Sequence, residues 1–487
     1  TEMKPVEKAA VIDVGSNSCR MVIYERWGNG LLPYFNEKSM AGLGRGLPET
    51  GHLSPEGRIK AIETFHRFSA ILKGLGVHNV NAVATSAVRE ASDGPEFREL
   101  AEAALGVELK VLSGVDEGRL SAYGVGLGFS NPDGLVADLG GSSMELYALG
   151  EQAAKGETYL LGPLARAADT ELSPSKRQKI VRKIVKDSAL LGQRHSHLYA
   201  VGGAWRNVAA VHMMLKNYPL RVVHSYKLDA DAIDDVIEAA LRAEEDAEMR
   251  QKLVSVSKKR FDTLLHSAIV LKGLLDACDA ESAIISSYGL RDGVVGEAFQ
   301  VQSEGGLLDS VPLYLRASEA TVAFGREVYD FVTPLKFALS QSDETLRATC
   351  LMSDAGARMH PDHRANLVHR QILRVPVPEL DHNARLFAAF AAASRYTFKL
   401  KAPSEIVALM SETMISEARI LGTAMRLAGV YSGRSAAILK TARLSANDKV
   451  LTLHVTRKNS DLVSGTVRRR HAQLCGLLNL EPNFELV

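Results

Sequence analysis

One short plan occurs twice in this chain, and it restricts the fold more than any other feature. An apolar run from Ala9 to Val14 carries Asp13 into the polar turn Gly15-Ser16-Asn17-Ser18, and a second run, Cys19 to Tyr24, leads out. Leu135 to Tyr147 repeats the plan: an apolar strand with Asp138, the turn Gly140-Gly141-Ser142-Ser143, and an outgoing strand from Met144. Each copy reads as a β-hairpin. Its turn offers N–H donors, hydroxyls and a glycine for close backbone approach, so it can wrap an anion while the aspartate holds a metal ion or a water. Two such half-sites predict two lobes closing over one phosphorylated ligand. A third glycine turn, Gly202-Gly203, follows the apolar run His197 to Val201.

The aspartates add a constraint. Two carboxylates facing one cleft repel phosphate unless a hard cation shares oxygens with both, so Mg²⁺ or another divalent ion is expected at Asp13 and Asp138. Around them the spacing predicts a third strand over Leu31 to Lys38, then a helix capped by Ser54 with Pro55 at its first position. That helix carries the stripe Ile59, Ile62, Phe65, Phe68 and Leu72. A buried strand over Asn79 to Ala84, a helix over Pro95 to Leu105 and a strand over Glu108 to Leu112 complete a βββαβαβ lobe. Asp116 to Leu127 reads as a helix bridging into the second lobe, where Glu117 stands at a helix start that favours a carboxylate. In that lobe Pro174 to Leu191 and Phe261 to Cys278 read as helices, Lys227 to Lys259 as two charged amphipathic ones, and Ala283 to Ser287 as the last strand.

Five stretches in order carry a resemblance: Asp13 to Ser18, Ala84 to Ala91, Ser113 to Leu120, Asp138 to Ser143 and Ser287 to Gly293. The set is similar to the superfamily of actin, sugar kinases and heat-shock ATPases. More narrowly, it resembles the exopolyphosphatase/guanosine pentaphosphate phosphatase family. The resemblance implies an α/β fold: two actin-like (ribonuclease H-like) lobes around an interlobe cleft, then a mostly helical C-terminal domain resembling a degenerate HD domain. It implies a phosphohydrolase that removes terminal phosphate from inorganic polyphosphate, guanosine pentaphosphate or both. Metal contacts would fall at Asp138, the backbone of Gly140 and Glu145, and Glu117 would orient and deprotonate the attacking water. Asp116, its neighbour, is the alternative by position alone. The phosphate cradle would be Gly15, Ser16, Asn17, Ser18, Gly141, Ser142 and Ser143, with Arg89 bracketing a phosphate. Arg20, Arg45, Arg119, Arg166, Arg206 and Arg291 are weaker phosphate candidates. Met144 departs from the family, which has a hydroxyl residue there, and so removes one donor. Two other readings fit the glycine turns: a nucleotide-dependent kinase, with Gly202-Gly203 admitting a base, and a sensor that binds polyphosphate or a guanosine alarmone without turnover.

With 487 residues the chain has room for about two to four domains, placed at 1–130, 131–304 and 305–487. The 58 basic and 57 acidic residues leave a net charge of +1, which argues against a dedicated nucleic-acid binder. Cys19, Cys278, Cys350 and Cys475 form no CxxC pair, as expected of reduced thiols in a cytoplasmic protein. No stretch reaches the roughly 18 apolar residues of a membrane span. The N-terminus lacks the apolar core of a signal peptide, with Met3 read as the native start. A homodimer is compatible with all of this.

Beyond about Leu313 nearly everything reads as helix to Leu444, followed by a strand at Val450 to Val455, a helix at Leu462 to Leu478 and one closing strand. The HD-like stretch Leu351 to Gly356 has Ser353 where a histidine would stand, and His360, His363 and His369 lack a metal spacing, so no second metal centre is expected. Arg364, Arg370, Lys399, Lys401, Arg434, Lys440, Arg443 and Arg468-Arg469-Arg470 can guide a polyanion or simply solvate the helices.

Overall fold

The computed structural model describes residues 6–150, 156–165, 172–193, 195–258, 260–302 and 304–487. Arg166 and Met3 lie outside these. The chain divides into two compact units, one of Val6–Arg26 with Pro33–Glu304, the other of Trp27–Leu32 with Gly305–Val487.

The first unit contains the same sheet twice. Strands β1 (Glu7–Val14), β2 (Cys19–Trp27), β3 (Gly30–Ser39), β4 (Asn79–Ala84) and β5 (Leu109–Val111) lie in the order β3-β2-β1-β4-β5. The second sheet uses β6 (Leu135–Leu139), β7 (Met144–Ala148), β8 (Gly156–Tyr159), β9 (Leu198–Val201), β10 (Lys227–Leu228) and β11 (Ala283–Ile285). Its order is β10-β11-β9-β6-β7-β8, so β8-β7-β6-β9-β11 retraces the first sheet strand for strand. In both, the central strand pairs antiparallel with the next strand and parallel with the one after a crossover. The hairpin turns and the ends of β4 and β9 therefore meet at one edge of each sheet, outside the carboxyl ends of the parallel strands, where α/β sheets bind ligands.

Each lobe has its own core. In the first, helix Pro55–Gly74 is capped by Ser54, whose hydroxyl accepts the Gly57 N–H, and buries Phe65 and Phe68 against β1 and β4. Ile59 of the expected stripe is 65% exposed instead: the buried face runs through Ala61, Phe65, Phe68 and Leu72, which leaves Ile59 on its border. In the second lobe Trp205 is fully buried and donates its indole N–H to the Ser267 carbonyl at 3.0 Å. The helix expected to reach Leu191 ends at Val185, and Leu190 and Leu191 enter the core from the turns that follow.

Helices Gly114–Gly128 and Leu290–Phe299 cross with almost nothing between their backbones. A Cβ on Gly293 would stand 1.8 Å from the Leu120 carbonyl oxygen, and one on Gly124 would stand 2.1 Å from that of Gly289.

The second unit is mostly helical. Helix His382–Ser394 is buried from Ala384 to Ser394, so its alanine richness is what a helix enclosed on all sides requires. Helices Arg364–Leu373 and Glu412–Ser432 pack on it, and Gly465–Leu478 packs on the latter. A three-stranded sheet closes the unit in the order β12 (Ala442–Ala446), β13 (Val450–Val455), β14 (Glu481–Leu486). Sequence reading missed β12, whose short run Ala-Arg-Leu-Ser-Ala carries one large apolar side chain. No helix among the described residues is long and apolar enough to cross a membrane.

The helix crossing yields a prediction. Gly293→Val places three carbons where a carbonyl oxygen stands, and it should cost about 3 kcal/mol or more, the upper end of overpacking. Urea unfolding measures this, and a loss below about 1 kcal/mol would show that the two helices part freely.

Candidate active site

The repeated turns close in the same way. The Gly15 N–H donates to the Ser18 carbonyl at 3.0 Å and the Gly140 N–H to the Ser143 carbonyl at 2.9 Å. Each is buttressed by a later loop of its own lobe: Gly44 N–H reaches the Ser16 carbonyl at 2.8 Å, and Gly162 N–H reaches the Ser142 carbonyl at 3.0 Å. The two turns touch through hydroxyls. Ser16 Oγ lies 3.1 Å from Ser142 Oγ and 3.3 Å from Ser86 Oγ, which starts the short helix after β4. Around this junction a cleft of about 210 Å³ is lined by Asp13, residues 15–18, Glu117, Asp138, Gly140 and Gly141, among others.

One wall is acidic. Glu117 sits in the first turn of helix Gly114–Gly128 and is 6% exposed. Asp116 is the half-buried neighbour: it accepts the Ser113 hydroxyl at 2.7 Å and belongs to the helix cap, while Glu117 lines the cleft. Asp138 and Glu145 are cross-strand partners on β6 and β7, and Asp138 accepts a hydrogen bond from Ser121. Among the described residues, both oxygens of Glu145 and the Ser143 hydroxyl are buried with no well-formed hydrogen bond, although the Ser143 hydroxyl is near enough to pull the Glu145 carboxyl down against the effect of burial. Burial, then the charges of Glu145 and Asp138, push the Glu117 carboxyl well above its ordinary range, against the pull of Arg89. Burial raises Asp138 and Glu145 too. Three such carboxylates crowded together favour a cation or a shared proton.

Arg89 gives an N–H to the Leu112 carbonyl at 2.8 Å and stands 3.5 Å from Glu117 Oε2, so its charge is read by that carboxylate. Met144 is fully buried in the core of the second lobe. Residues alternate across a strand, so the missing hydroxyl falls on the face opposite Glu145.

The facing wall is cationic. Arg20, Lys38, Arg206, Arg260 and Arg291 all line the cleft. Arg291 donates to Asp13 Oδ2 at 3.0 Å, and the adjoining Asp292 accepts the Tyr24 hydroxyl at 3.1 Å. Burial, then Arg291, Arg20 and Arg260, lowers Arg206 to about 10. Burial and four arginines, led by Arg260, lower Lys38 to about 8. Of the weaker sequence candidates, Arg20, Arg206 and Arg291 are here, whereas Arg119 is held bidentately by Glu297 at 2.7 and 3.3 Å. Lys38 and Arg260 escaped sequence reading. Lys38 had one usable signal: it lies two residues from Asn36, which accepts the Arg20 N–H at 2.8 Å, and so shares its strand face.

The sequence model of the Ppx/GppA phosphatase family matches residues 22–300, more than half of the chain. The chain belongs to the Ppx/GppA phosphatase family. Residues 323–484 match the C-terminal exopolyphosphatase family model. A Ppx/GppA family member of Aquifex aeolicus is similar in structure, with a TM-score of 0.53 and 23% identity over 61% of this chain and 98% of its own. An exopolyphosphatase from Cytophaga hutchinsonii has a TM-score of 0.53 and 20% identity over 61% of this chain and 99% of its own. At these identities the likeness concerns the fold.

For a phosphatase of this family the donor set can be tested against a divalent cation. Among the described residues no group of three or more His, Cys, Asp or Glu side chains forms a ready metal cage. Mg²⁺ does not need one: it takes one or two carboxylates and completes its shell with water and phosphate oxygens. Asp138 and the buried carboxylate of Glu145, its cross-strand partner beside the glycine turn 140–143, fit that requirement.

Lys38 supplies a pH prediction. Below about pH 8 its ammonium is charged and can attract an anion in the cleft; above it the charge is lost, so affinity for an anionic substrate should fall as pH rises through about 8. The kcat/KM profile reports the free enzyme and should bend there. In Lys38→Arg, which stays charged, the bend should vanish. A bend that persists in this variant would assign it to another group.

Proposed function

We propose that this phosphatase hydrolyses the terminal phosphate of condensed phosphates, inorganic polyphosphate or the 5′-triphosphate end of guanosine pentaphosphate. The observation that carries the reading is the pairing of a buried carboxylate wall with a five-cation wall across one junction of anion-binding turns. The lobes at 1–130 and 131–304 would form the catalytic part, with 305–487 as an accessory domain. The four cysteines are buried and free, which suits a reducing cytoplasm.

In this mechanism N–H groups of residues 16–18 and 141–143 take the oxygens of the terminal phosphoryl group, those of Gly15 and Gly140 being spent on closing the turns. Asp138, Glu145, the backbone of Gly140 and the second oxygen of Asp13 would hold Mg²⁺, which when bound neutralises phosphate charge and polarises the phosphoryl group. Glu117 accepts a proton from the attacking water. The water oxygen bonds to phosphorus as the bridging P–O bond breaks, and the departing chain keeps that electron pair. Arg20, Lys38, Arg206, Arg260 and Arg291 hold the chain's negative charge. Arg89 pulls the Glu117 carboxyl down, opposing the burial that pushes it up, and helps to keep it ionised.

Glu117→Gln should fold normally and lose roughly 10²–10⁴-fold in kcat on short polyphosphate. Turnover close to wild type would remove Glu117 from the role of base. Asp138→Asn and Glu145→Gln should each raise the Mg²⁺ concentration needed for half-maximal activity and diminish the rise in Tm that Mg²⁺ produces. Unchanged Mg²⁺ dependence in both readouts would reject these ligands. A phosphate-release assay comparing polyphosphate with guanosine pentaphosphate decides between the substrates.

A further inference from the structure

His224 lies outside the cleft, yet its ring joins the two helices on which the cleft is built. It belongs to the turn at residues 223–226, just before β10. That turn is fastened to β11: the Ser225 N–H donates to the Ile285 carbonyl at 2.9 Å, and the Ile285 N–H donates to the Tyr226 carbonyl at 2.9 Å. The residue is 5% exposed. Its imidazole packs against the rings of Phe129 and Tyr288, with centres 4.5 and 5.2 Å away.

Two hydrogen bonds select one tautomer of this ring. Nε2 lies 3.1 Å from the carbonyl oxygen of Gly128, the last residue of helix Gly114–Gly128. A carbonyl can only accept, so Nε2 carries the proton. Nδ1 lies 3.3 Å from the Ser287 backbone nitrogen, whose N–H donates, so Nδ1 presents its lone pair. The neutral Nε2–H form satisfies both bonds at once. It caps a helix-end carbonyl that no bond within the helix reaches, and it holds the loop that leads into helix Leu290–Phe299. The span between them is short: a Cβ on Gly128 would stand 2.6 Å from the Tyr288 ring.

Ser287 is the link to the cleft, which it lines, and its carbonyl accepts the Arg206 Nη1–H at 3.4 Å. The next N–H groups are used locally, Tyr288 on the Ser286 hydroxyl at 3.0 Å and Gly289 on Asp292 at 3.0 Å. The Ser287 N–H is instead held by His224, so the place of this residue depends on the imidazole. We propose that His224 is a positioning residue for the phosphatase reaction, setting Arg206 against the substrate's negative charge through the Ser287 backbone. This rests on the reading of Arg206 as part of the wall that holds the anion. Glu117 stands at the other end of its helix from Gly128, roughly 16 Å away at 1.5 Å per residue. Loss of the imidazole is therefore felt in substrate binding and not in proton transfer.

Steady-state kinetics of the full-length protein on tripolyphosphate, with Mg²⁺ in excess, test this. His224→Phe keeps an aromatic ring in the space but loses both hydrogen bonds. Its KM should rise roughly three- to tenfold, the scale of a single hydrogen bond, with kcat within about twofold of wild type. The amide of His224→Gln offers one donor and one acceptor, and should return KM to within about twofold of wild type. A ring that only filled space would give the reverse order, with Phe tolerated and Gln impaired, and that result would overturn the proposal. Arg206→Met should raise KM by itself. Adding His224→Phe to it should bring less than about a twofold further rise, because the side chain that Ser287 orients is gone. An unchanged KM in Arg206→Met would reject the cleft reading of that arginine, and this inference with it. If Arg206→Met raises KM while His224→Phe leaves it alone, or multiplies it in full in both backgrounds, only the role of His224 is overturned. Should His224→Phe not fold, His224→Asn replaces it in both comparisons, since its shorter amide reaches one partner at most.

Discussion

Two helices that meet glycine to backbone where they cross set the geometry of the candidate site. Helix Gly114–Gly128 starts with the turn that carries Glu117, and helix Leu290–Phe299 starts with Arg291. They meet glycine to backbone at Gly124 and Gly293, so their separation is fixed by backbone thickness and cannot be adjusted by a rotamer. Their first turns in consequence present a carboxylate and a guanidinium to the same cleft. The second helix is also fastened to the first lobe, by Arg291 on Asp13 and by Asp292 on the Tyr24 hydroxyl. Glu117, Arg291 and the first glycine turn are thus positioned by one crossing and two polar contacts.

This arrangement is unfavourable for each wall taken separately. Glu117, Asp138 and Glu145 are buried near one another, and burial and mutual repulsion resist their ionisation. Across the cleft, Lys38 and Arg206 are depressed by burial and by neighbouring arginines. A folded protein keeps such features where function needs them and offsets them elsewhere. Here the two lobe cores, with Trp205, Phe65, Phe68 and Phe97 fully buried, provide the offset. A polyanion accompanied by a dication would relieve both walls at once. Neither alone would do so, since the anion is repelled by one wall and the cation by the other.

Much of this was legible in the sequence, because the hairpins and their turns are local. Strand alternation and a glycine turn identified Asp13, residues 15–18, Asp138 and residues 140–143 directly, and the capping pattern at Ser54 located the first long helix. The cationic wall was legible only in part: Arg20, Arg206 and Arg291 stood among the weaker phosphate candidates, whereas Lys38 and Arg260 were missed. Its members come from β2, β3, the helix after β9, the start of helix Phe261–Cys278 and the start of helix Leu290–Phe299, and no spacing connects them. Only the return of the chain to the same edge of each sheet brings them together. Met144 illustrates the converse. The missing hydroxyl was noticed, yet two-residue alternation places Met144 with Leu146 in the core and Glu145 on the other face, so the departure belongs to packing.

The C-terminal unit follows a related logic with different materials. Where an HD domain would set a histidine beside its aspartate, this chain has Ser353, and Asp354 is occupied by Arg395 and Arg434. A guanidinium can stand in for a metal ion as a source of positive charge, but its donors are directional and it cannot bind two anions through one centre. Arg364 and Arg395 also share the ring of Tyr396, whose π face tolerates cations that water has left. That ring stabilises individual guanidinium groups without neutralising any of them.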